Sequence, residues 1–176
     1  MSTWNSRGLR GSTLEEFVNR SNEKYRESKL ALIQKIPTPI TPIQIEKSTR
    51  HITLAYFEQK STVDYIGVVQ GVPVCFDAKE CRTDTFPLQN IQEHQIQFMK
   101  EFEEQDGIAF LLLYFPGRDL FYYLRFMELM KFYNRSCQGG RKSFRLDELE
   151  ERYFFSNGTG VLVPYLDKLV QDMEER

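Results

Sequence analysis

Residues 64–79 constrain the fold more than any other stretch. Asp64 stands in Ser61-Thr62-Val63-Asp64-Tyr65-Ile66-Gly67, a turn is marked near Gln70-Gly71-Val72-Pro73, and the chain resumes as Val74-Cys75-Phe76-Asp77-Ala78-Lys79. Two short runs around such a turn predict a β-hairpin. Side chains two apart on a strand share a face, so Asp77 and Lys79 point one way. Val74, Phe76 and Ala78 point the other way, into a core. Both carboxylates and the lysine thus meet at one edge of the hairpin, with Asp77 and Lys79 expected on a polar outer face.

The rest of the chain sorts around this hairpin. Residues 12–28 predict an amphipathic helix: Ser12 and Thr13 each stand three before a glutamate, as in a capping box, and Leu14, Phe17, Val18 and Tyr25 form its apolar stripe. Leu30 to Ile36 reads as a strand. Pro37, Pro39 and Pro42 then exclude helix. Alternating runs on either side of Lys47-Ser48-Thr49-Arg50-His51 predict a projecting hairpin-like element. Phe86-Pro87-Leu88 is expected to open a helix reaching about Gln105, ended by Gly107. Ile108 to Tyr114 and Asp119 to Leu124 predict buried strands joined by Pro116-Gly117-Arg118. A short helix over 126–134, a basic loop at Gly139-Gly140-Arg141-Lys142, a helical turn over 147–152 and an amphipathic helix over 165–175 complete the order. Helices and strands in this sequence give an α/β domain on a mixed sheet. No Gly-rich phosphate loop supports a Rossmann or P-loop fold.

At 176 residues, 41% hydrophobic and 27% charged, the chain suits one globular domain with a real core. It reads as a single domain over 1–176, with a flexible N-terminal tail over 1–10 and the projection over 40–60. No apolar run approaches a membrane span, and the polar N-terminus lacks a signal peptide's apolar stretch, so the expected setting is cytoplasmic, with no membrane partner. Three scattered cysteines and two histidines argue for reduced thiols and against a structural zinc site. The net charge of −2 argues against general nucleic-acid binding, but it hides an asymmetry. Between Arg118 and Arg145 seven cations face only Asp119 and Glu128, a local charge of +5. Residues 93–106 are acidic instead.

Two aspartates and a lysine at one strand edge suit phosphodiester hydrolysis. Hard divalent cations take oxygen ligands, which Asp64, Asp77 and the carbonyl of Ala78 offer. A cation so held can activate water and neutralise charge, while Lys79 orients or deprotonates that water. An Asp-x-Lys triplet alone is common on strands, where it is usually an ordinary ion pair. Its weight here comes from its company: the Asp on the preceding strand, the acidic first helix and the basic loop. Serine or cysteine nucleophile chemistry finds no support, since neither His51 nor His94 sits beside a nucleophile motif.

The spacing Asp64…Asp77-Ala78-Lys79 resembles the PD-(D/E)xK nuclease superfamily, whose fold is restriction-endonuclease-like: a mixed central sheet flanked by helices. Four blocks resemble, more narrowly, the RecU family of Holliday-junction resolvases. They are Arg10-Gly11-Ser12-Thr13-Leu14-Glu15-Glu16; Pro37-Thr38-Pro39 with Pro42-Ile43-Gln44-Ile45; the Asp64 and Asp77-Ala78-Lys79-Glu80 blocks; and Phe86-Pro87-Leu88-Gln89-Asn90 with His94-Gln95. Gly140-Arg141-Lys142-Ser143 with Asp147-Glu148-Leu149-Glu150 fits the family's C-terminal half. The resemblance implies a homodimer that binds a four-way DNA junction and nicks two opposing strands with Mg²⁺, or Mn²⁺ in its place. A recombinase is a further implied partner. Asp64 and Asp77 become metal ligands and Lys79 the water-positioning lysine. Thr62 falls near the metal, and Gln95 supports the metal site or touches the scissile phosphate. Glu15 matches the superfamily's extra acidic residue, or is a helix N-terminal carboxylate. Arg10 contacts phosphate, or belongs to a frayed tail.

Residues 40–60 correspond to the family's projecting stalk. Lys47, Arg50 and His51 at its tip suit entry into the junction centre, or are solvated loop charges. Arg141 and Lys142 add a basic DNA contact. Some aromatics, such as Tyr114, Phe121, Tyr122 or Tyr123, line a subunit interface or the core. The chain departs from the family pattern with Asp rather than Glu at 77, a shorter stalk and little of the basic N-terminal tail. The alternative function is a non-cleaving junction-binding or recombinase-binding module.

Overall fold

The computed structural model describes residues 13–58 and 62–176. These run in the order α1 (Thr13–Glu27), β1 (Ala31–Lys35), β2 (Ile40–Ile45), β3 (Ile52–Phe57), β4 (Tyr65–Val69), β5 (Val72–Glu80), β6 (Thr85–Pro87), α2 (Glu93–Glu103), β7 (Ile108–Phe115), β8 (Leu120–Arg125), α3 (Phe126–Cys137), β9 (Ser143–Arg145), β10 (Phe154–Phe155) and α4 (Tyr165–Glu174). Six strands make the central sheet in the order β1-β4-β5-β7-β8-β10. Only β5 and β7 run parallel, and α2 supplies the crossover that a parallel pair requires. The result is the mixed sheet flanked by helices expected of a restriction-endonuclease-like fold.

The hairpin forms where its sequence places it. Gln70 and Gly71, at φ 48° and 90°, make the two-residue turn whose left-handed backbone matches strand twist. The turn fixes the register, with Tyr65 opposite Phe76 and Val69 opposite Val72. Opposed residues share a face, so the rings of Tyr65 and Phe76 stack at 4.8 Å. The stack runs on across the sheet through Phe110 and Tyr123, at 4.6 and 4.3 Å. Each such pair adds about 0.5–1.5 kcal/mol beyond the area it buries. From above, α1 and α4 close this face: Tyr65 donates to Asn19 Oδ1 and the Tyr165 ring tilts against Phe76.

The opposite face of β5 is not the solvated outer face the alternation suggests. Cys75 and Asp77 are both fully buried, and all eight residues of β7 are buried. A parallel central strand is covered on both sides, here by α2 and α3 on the Asp77 side, so the alternation at 74–78 marks no exposed surface. The aromatics considered for an interface are core for the same reason. Tyr114, Phe121, Tyr122 and Tyr123 are all buried, and the tyrosine hydroxyls are satisfied internally, by Asp119, Glu128 and Asp172.

The helix expected from Phe86 begins later. Thr85–Pro87 instead pairs with Ser143–Arg145, and the rings of Phe86 and Phe144 stack at 5.1 Å. A 3₁₀ turn follows, and α2 starts only where Gln92 and Gln95 form a reciprocal cap. At its far end Asp106, not Gly107, takes the left-handed turn, with φ 60°. β2 and β3 form a two-stranded sheet of their own, with Lys47 and Arg50 in the connecting turn. Among the described residues no helix is long and apolar enough to cross a membrane. The three cysteines carry no disulfide.

Candidate active site

The hairpin register brings Asp64, the residue just before β4, opposite Asp77. The backbone amide of Asp64 donates to Asp77 Oδ1 at 2.8 Å, and the amide of Ala78 donates to Asp64 Oδ2 at 2.9 Å. The two carboxylates therefore lace the open end of the hairpin, each bound to the other strand. β1 secures the same point, because the amide of Ile36 donates to the carbonyl of Asp64 at 2.8 Å.

Asp77 is fully buried, and its Oδ2 has no hydrogen-bond partner. Lys79 Nζ lies 3.2 Å from that oxygen, in ion-pair range but not aligned as a hydrogen bond, and 3.8 Å from Asp64 Oδ2. Burial, followed by the charge of Asp64, pushes the Asp77 carboxyl up to about 6; Lys79 and the Asp64 amide pull the other way. A buried carboxylate oxygen without a donor is costly unless a cation completes it. The site thus fits a hard divalent cation. Among the described residues no group of three or more His, Cys, Asp or Glu side chains could hold a metal ion. A cation at Asp64 and Asp77 would complete its shell with carbonyl, water or phosphate oxygens.

Among the described residues, the other expected site residues make no hydrogen bond or ion pair with this pair. Glu15, in the first turn of α1, is ion-paired with Lys35 at the end of β1. The hydroxyl of Tyr65, next to Asp64, lies 3.4 Å from the Glu15 carbonyl. Thr62 is half-buried two residues before Asp64. Gln95 is buried in the first turn of α2, where its Oε1 accepts the Gln92 amide at 3.0 Å. Lys47 and Arg50 are exposed at the β2–β3 turn and have no side-chain partner among the described residues. Arg10 lies outside the described residues.

The basic run from Arg118 to Arg145 is less available than its sum suggests. Arg118, Arg125, Arg135, Arg141 and Arg145 are all ion-paired, with Asp84, Glu150, Glu148 (for both Arg135 and Arg141) and Asp147. Lys131 and Lys142 have no ion pair among the described residues. One supporting residue escaped the sequence reading as a structural element: Glu80 Oε1 accepts the Leu14 amide at 2.9 Å and ties the start of α1 to the end of β5. The signal was its place directly after Lys79.

Two carboxylates and a lysine, gathered at the end of a hairpin in a helix-flanked mixed sheet, are the layout of the PD-(D/E)xK superfamily. The family model described as "Recombination protein U" matches residues 9–171. The "Holliday junction resolvase RecU" of Bacillus subtilis (strain 168) is 40% identical over 167 residues, covering 92% of this chain and 80% of that protein. The protein of the same name from Pediococcus pentosaceus is 39% identical over 174 residues, covering 94% and 87%. This chain belongs to the RecU family. A solved structure of Hjc, a Holliday junction resolvase from Archaeoglobus fulgidus, aligns with 64% of this chain and 74% of that one, at 7% identity and a TM-score of 0.35.

Proposed function

We propose that this chain is a Mg²⁺-dependent endonuclease that resolves four-way DNA junctions by paired, symmetric nicks, acting as a homodimer. One observation carries the reading: the orphaned Oδ2 of buried Asp77, facing Lys79 and laced to Asp64. Lys79 meets that oxygen as an ion pair without a hydrogen bond, which leaves its remaining lone-pair capacity for a metal ion. The names of the relatives supply the substrate, a Holliday junction.

Asp64 and Asp77 would hold the cation, with Mn²⁺ able to replace Mg²⁺. The cation supplies charge neutralisation and an acidified water. Lys79 Nζ, 3.2 and 3.8 Å from the two carboxylates, would orient the attacking water and stabilise developing negative charge. Gln95 acts through its carboxamide NH₂, because its Oε1 already accepts the Gln92 amide. That favours a donor to the scissile phosphate over a metal ligand. Glu15 and Thr62 support the site from α1 and from the approach to β4.

A four-way junction is nearly two-fold, so two symmetric cuts are best made by a two-fold dimer. The β2–β3 hairpin supports this arrangement. Ile43, Ile45, Ile52, Leu54, Tyr56 and Phe57 are all exposed on it, and a lone two-stranded ribbon is marginal in water. A second hairpin covering the first removes that apolar surface. A recombinase is a further partner of the same reading.

The decisive experiment mixes the protein with a synthetic four-way junction and with linear duplex, in Mg²⁺ or EDTA, beside Asp64→Asn and Lys79→Ala. Paired nicks on the junction, lost in EDTA and in both variants, are expected. Equal cutting of linear duplex would remove junction specificity. Tight junction binding without any cutting would favour the binding-module alternative.

A further inference from the structure

We infer that Arg82 is a DNA-contact residue that seats the cleaved strand, by holding a phosphate beside the scissile one. The inference rests on the nuclease reading above and extends it to a residue with no role there. Arg82 is exposed, and its side chain has no hydrogen bond or ion pair with any described residue. That separates it from Arg118, Arg135, Arg141 and Arg145, whose charges are met by carboxylates of the same chain.

Position gives the unpaired charge its meaning. Lys79 and Arg82 are three residues apart, so their Cα atoms are separated by at most about 11 Å. Arg82 stands two residues past the end of β5, next to Cys81, whose amide donates to the Tyr114 carbonyl at 2.8 Å. It lines a cleft of about 480 Å³ with Thr13, Glu80, Tyr114, Pro116 and Gly117. Glu80 lies on the face of β5 opposite Lys79, so the cleft and the carboxylate pair share one end of the sheet but open to different sides. In the inferred complex the strand that passes Lys79 turns over this end of the sheet and brings a neighbouring phosphate to Arg82 on the other side. Glu80 is the carboxylate in the cleft lining, and its Oε1 is engaged by the Leu14 amide at the positive end of α1. The cation left to meet a phosphate is Arg82, and a guanidinium binds phosphate oxygens in a two-pronged fashion.

The test measures junction binding in EDTA, where no cutting occurs, for wild type, Arg82→Ala and Arg82→Lys. The junctions carry a single uncharged methylphosphonate at each position around the cleavage point. Removing one phosphate contact makes the slope of log K against log[salt] shallower by about 0.9 on duplex arms. Arg82→Ala should show that shallower slope with an unchanged melting temperature, and Arg82→Lys should restore most of it. Wild type should lose affinity at one flanking methylphosphonate to which Arg82→Ala is indifferent. An unchanged slope in Arg82→Ala, or the same methylphosphonate profile in both proteins, would overturn the assignment while leaving the nuclease reading intact. Wild type that binds no junction would overturn both.

Discussion

Asp64 and Asp77 hold each other in place through the backbone rather than through their charges. The Asp64 amide donates to Asp77 Oδ1, and Asp64 Oδ2 takes the amide just after Asp77. Each carboxylate is thereby fixed by the other strand's main chain, and Asp77 Oδ2 is left with the Lys79 ion pair but no hydrogen bond. Like charges this close repel, and Lys79 Nζ, 3.2 and 3.8 Å from the two carboxylates, offsets that repulsion in part. The geometry is therefore built before any ligand arrives, as an efficient site requires.

Asp77→Asn separates the chemistry from the fold. Asparagine keeps the shape and can still accept the Asp64 amide, but brings no charge to Oδ2. Cleavage should fall on the order of 10²-fold or more, by analogy with removal of one preorganised electrostatic group. The metal-free protein should not be destabilised above neutral pH. The sign follows from the carboxyl, whose value of about 6 lies above the ordinary 3.8. Its contribution is fully present below about pH 4 and is lost as pH rises through 6, to the extent of roughly 2–3 kcal/mol. Thermal unfolding in EDTA across pH 4–8 should show that decline in wild type and a flatter profile in the variant. Calorimetric titration with Mn²⁺ should show weakened binding.

Gly67 is required by a close approach, not by a special backbone angle. A Cβ there would sit 2.2 Å from the Leu32 carbonyl oxygen and 2.7 Å from the Ile33 Cα, both main-chain atoms of the paired strand. Gly67→Ala must push β1 away from β4, and overpacking of this kind costs about 1–3 kcal/mol. Since β1 ends beside Asp64, cleavage should fall along with the denaturation midpoint. A midpoint equal to wild type would show that the strand pair yields freely.

Much of this was legible in the chain. The turn at Gln70-Gly71 and the aromatic or β-branched residues around it specify the hairpin, and with it the meeting of Asp64, Asp77 and Lys79. The stripe of Leu14, Val18 and Tyr25 specifies α1. Other features were not legible, because they depend on partners distant in sequence. Burial of Asp77 comes from β7 and the helix α2 above it, so alternation within β5 cannot reveal it. The ladder of Thr85–Pro87 with Ser143–Arg145 is too short to have a period, and without it Pro87 reads as the start of a helix. The charge of the 118–145 run looked available because Asp84 and Glu148, which neutralise three of its arginines, lie outside the run.

Glu128 is a second buried carboxylate, with a structural role. Both of its oxygens accept from the Tyr122 hydroxyl, which itself accepts the Glu150 amide. Burial raises its carboxyl above the usual value, with Tyr122 opposing. A raised acid stabilises the fold below its ordinary range near pH 4.5, and that contribution fades as pH rises past its folded value. Glu128→Gln can still accept from Tyr122, so at pH 8 it should melt at or above the wild-type temperature, with less change between pH 4.5 and 8. Tyr122→Phe strands both Glu128 and the Glu150 amide, and should cost about 1–3 kcal/mol in a denaturant titration. Equal and opposite pH profiles for the two variants would contradict this arrangement.

The β2–β3 hairpin offers two separable surfaces. Its strands expose Leu54 at 47% and Ile45 at 56%, whereas its turn carries Lys47 and Arg50. If the strands meet a second copy, Ile45→Glu with Leu54→Glu places like charges at an apolar seam and should convert a sedimenting dimer to monomer. The monomer should keep the folded domain's circular dichroism, because no helix or central strand is touched, and melt no higher than the dimer, which association stabilises. If the turn meets phosphate, Lys47→Ala with Arg50→Ala should leave the dimer whole and lower the salt slope of junction binding by about 2. Arg50 stands at φ 57°, so Arg50→Gly removes the charge while relieving the backbone, and a loss of about half that slope from this variant would assign the effect to charge. The two double variants should thus fail differently, one in assembly and the other in affinity. A dimer that survives both glutamates would move the subunit contact away from the hairpin.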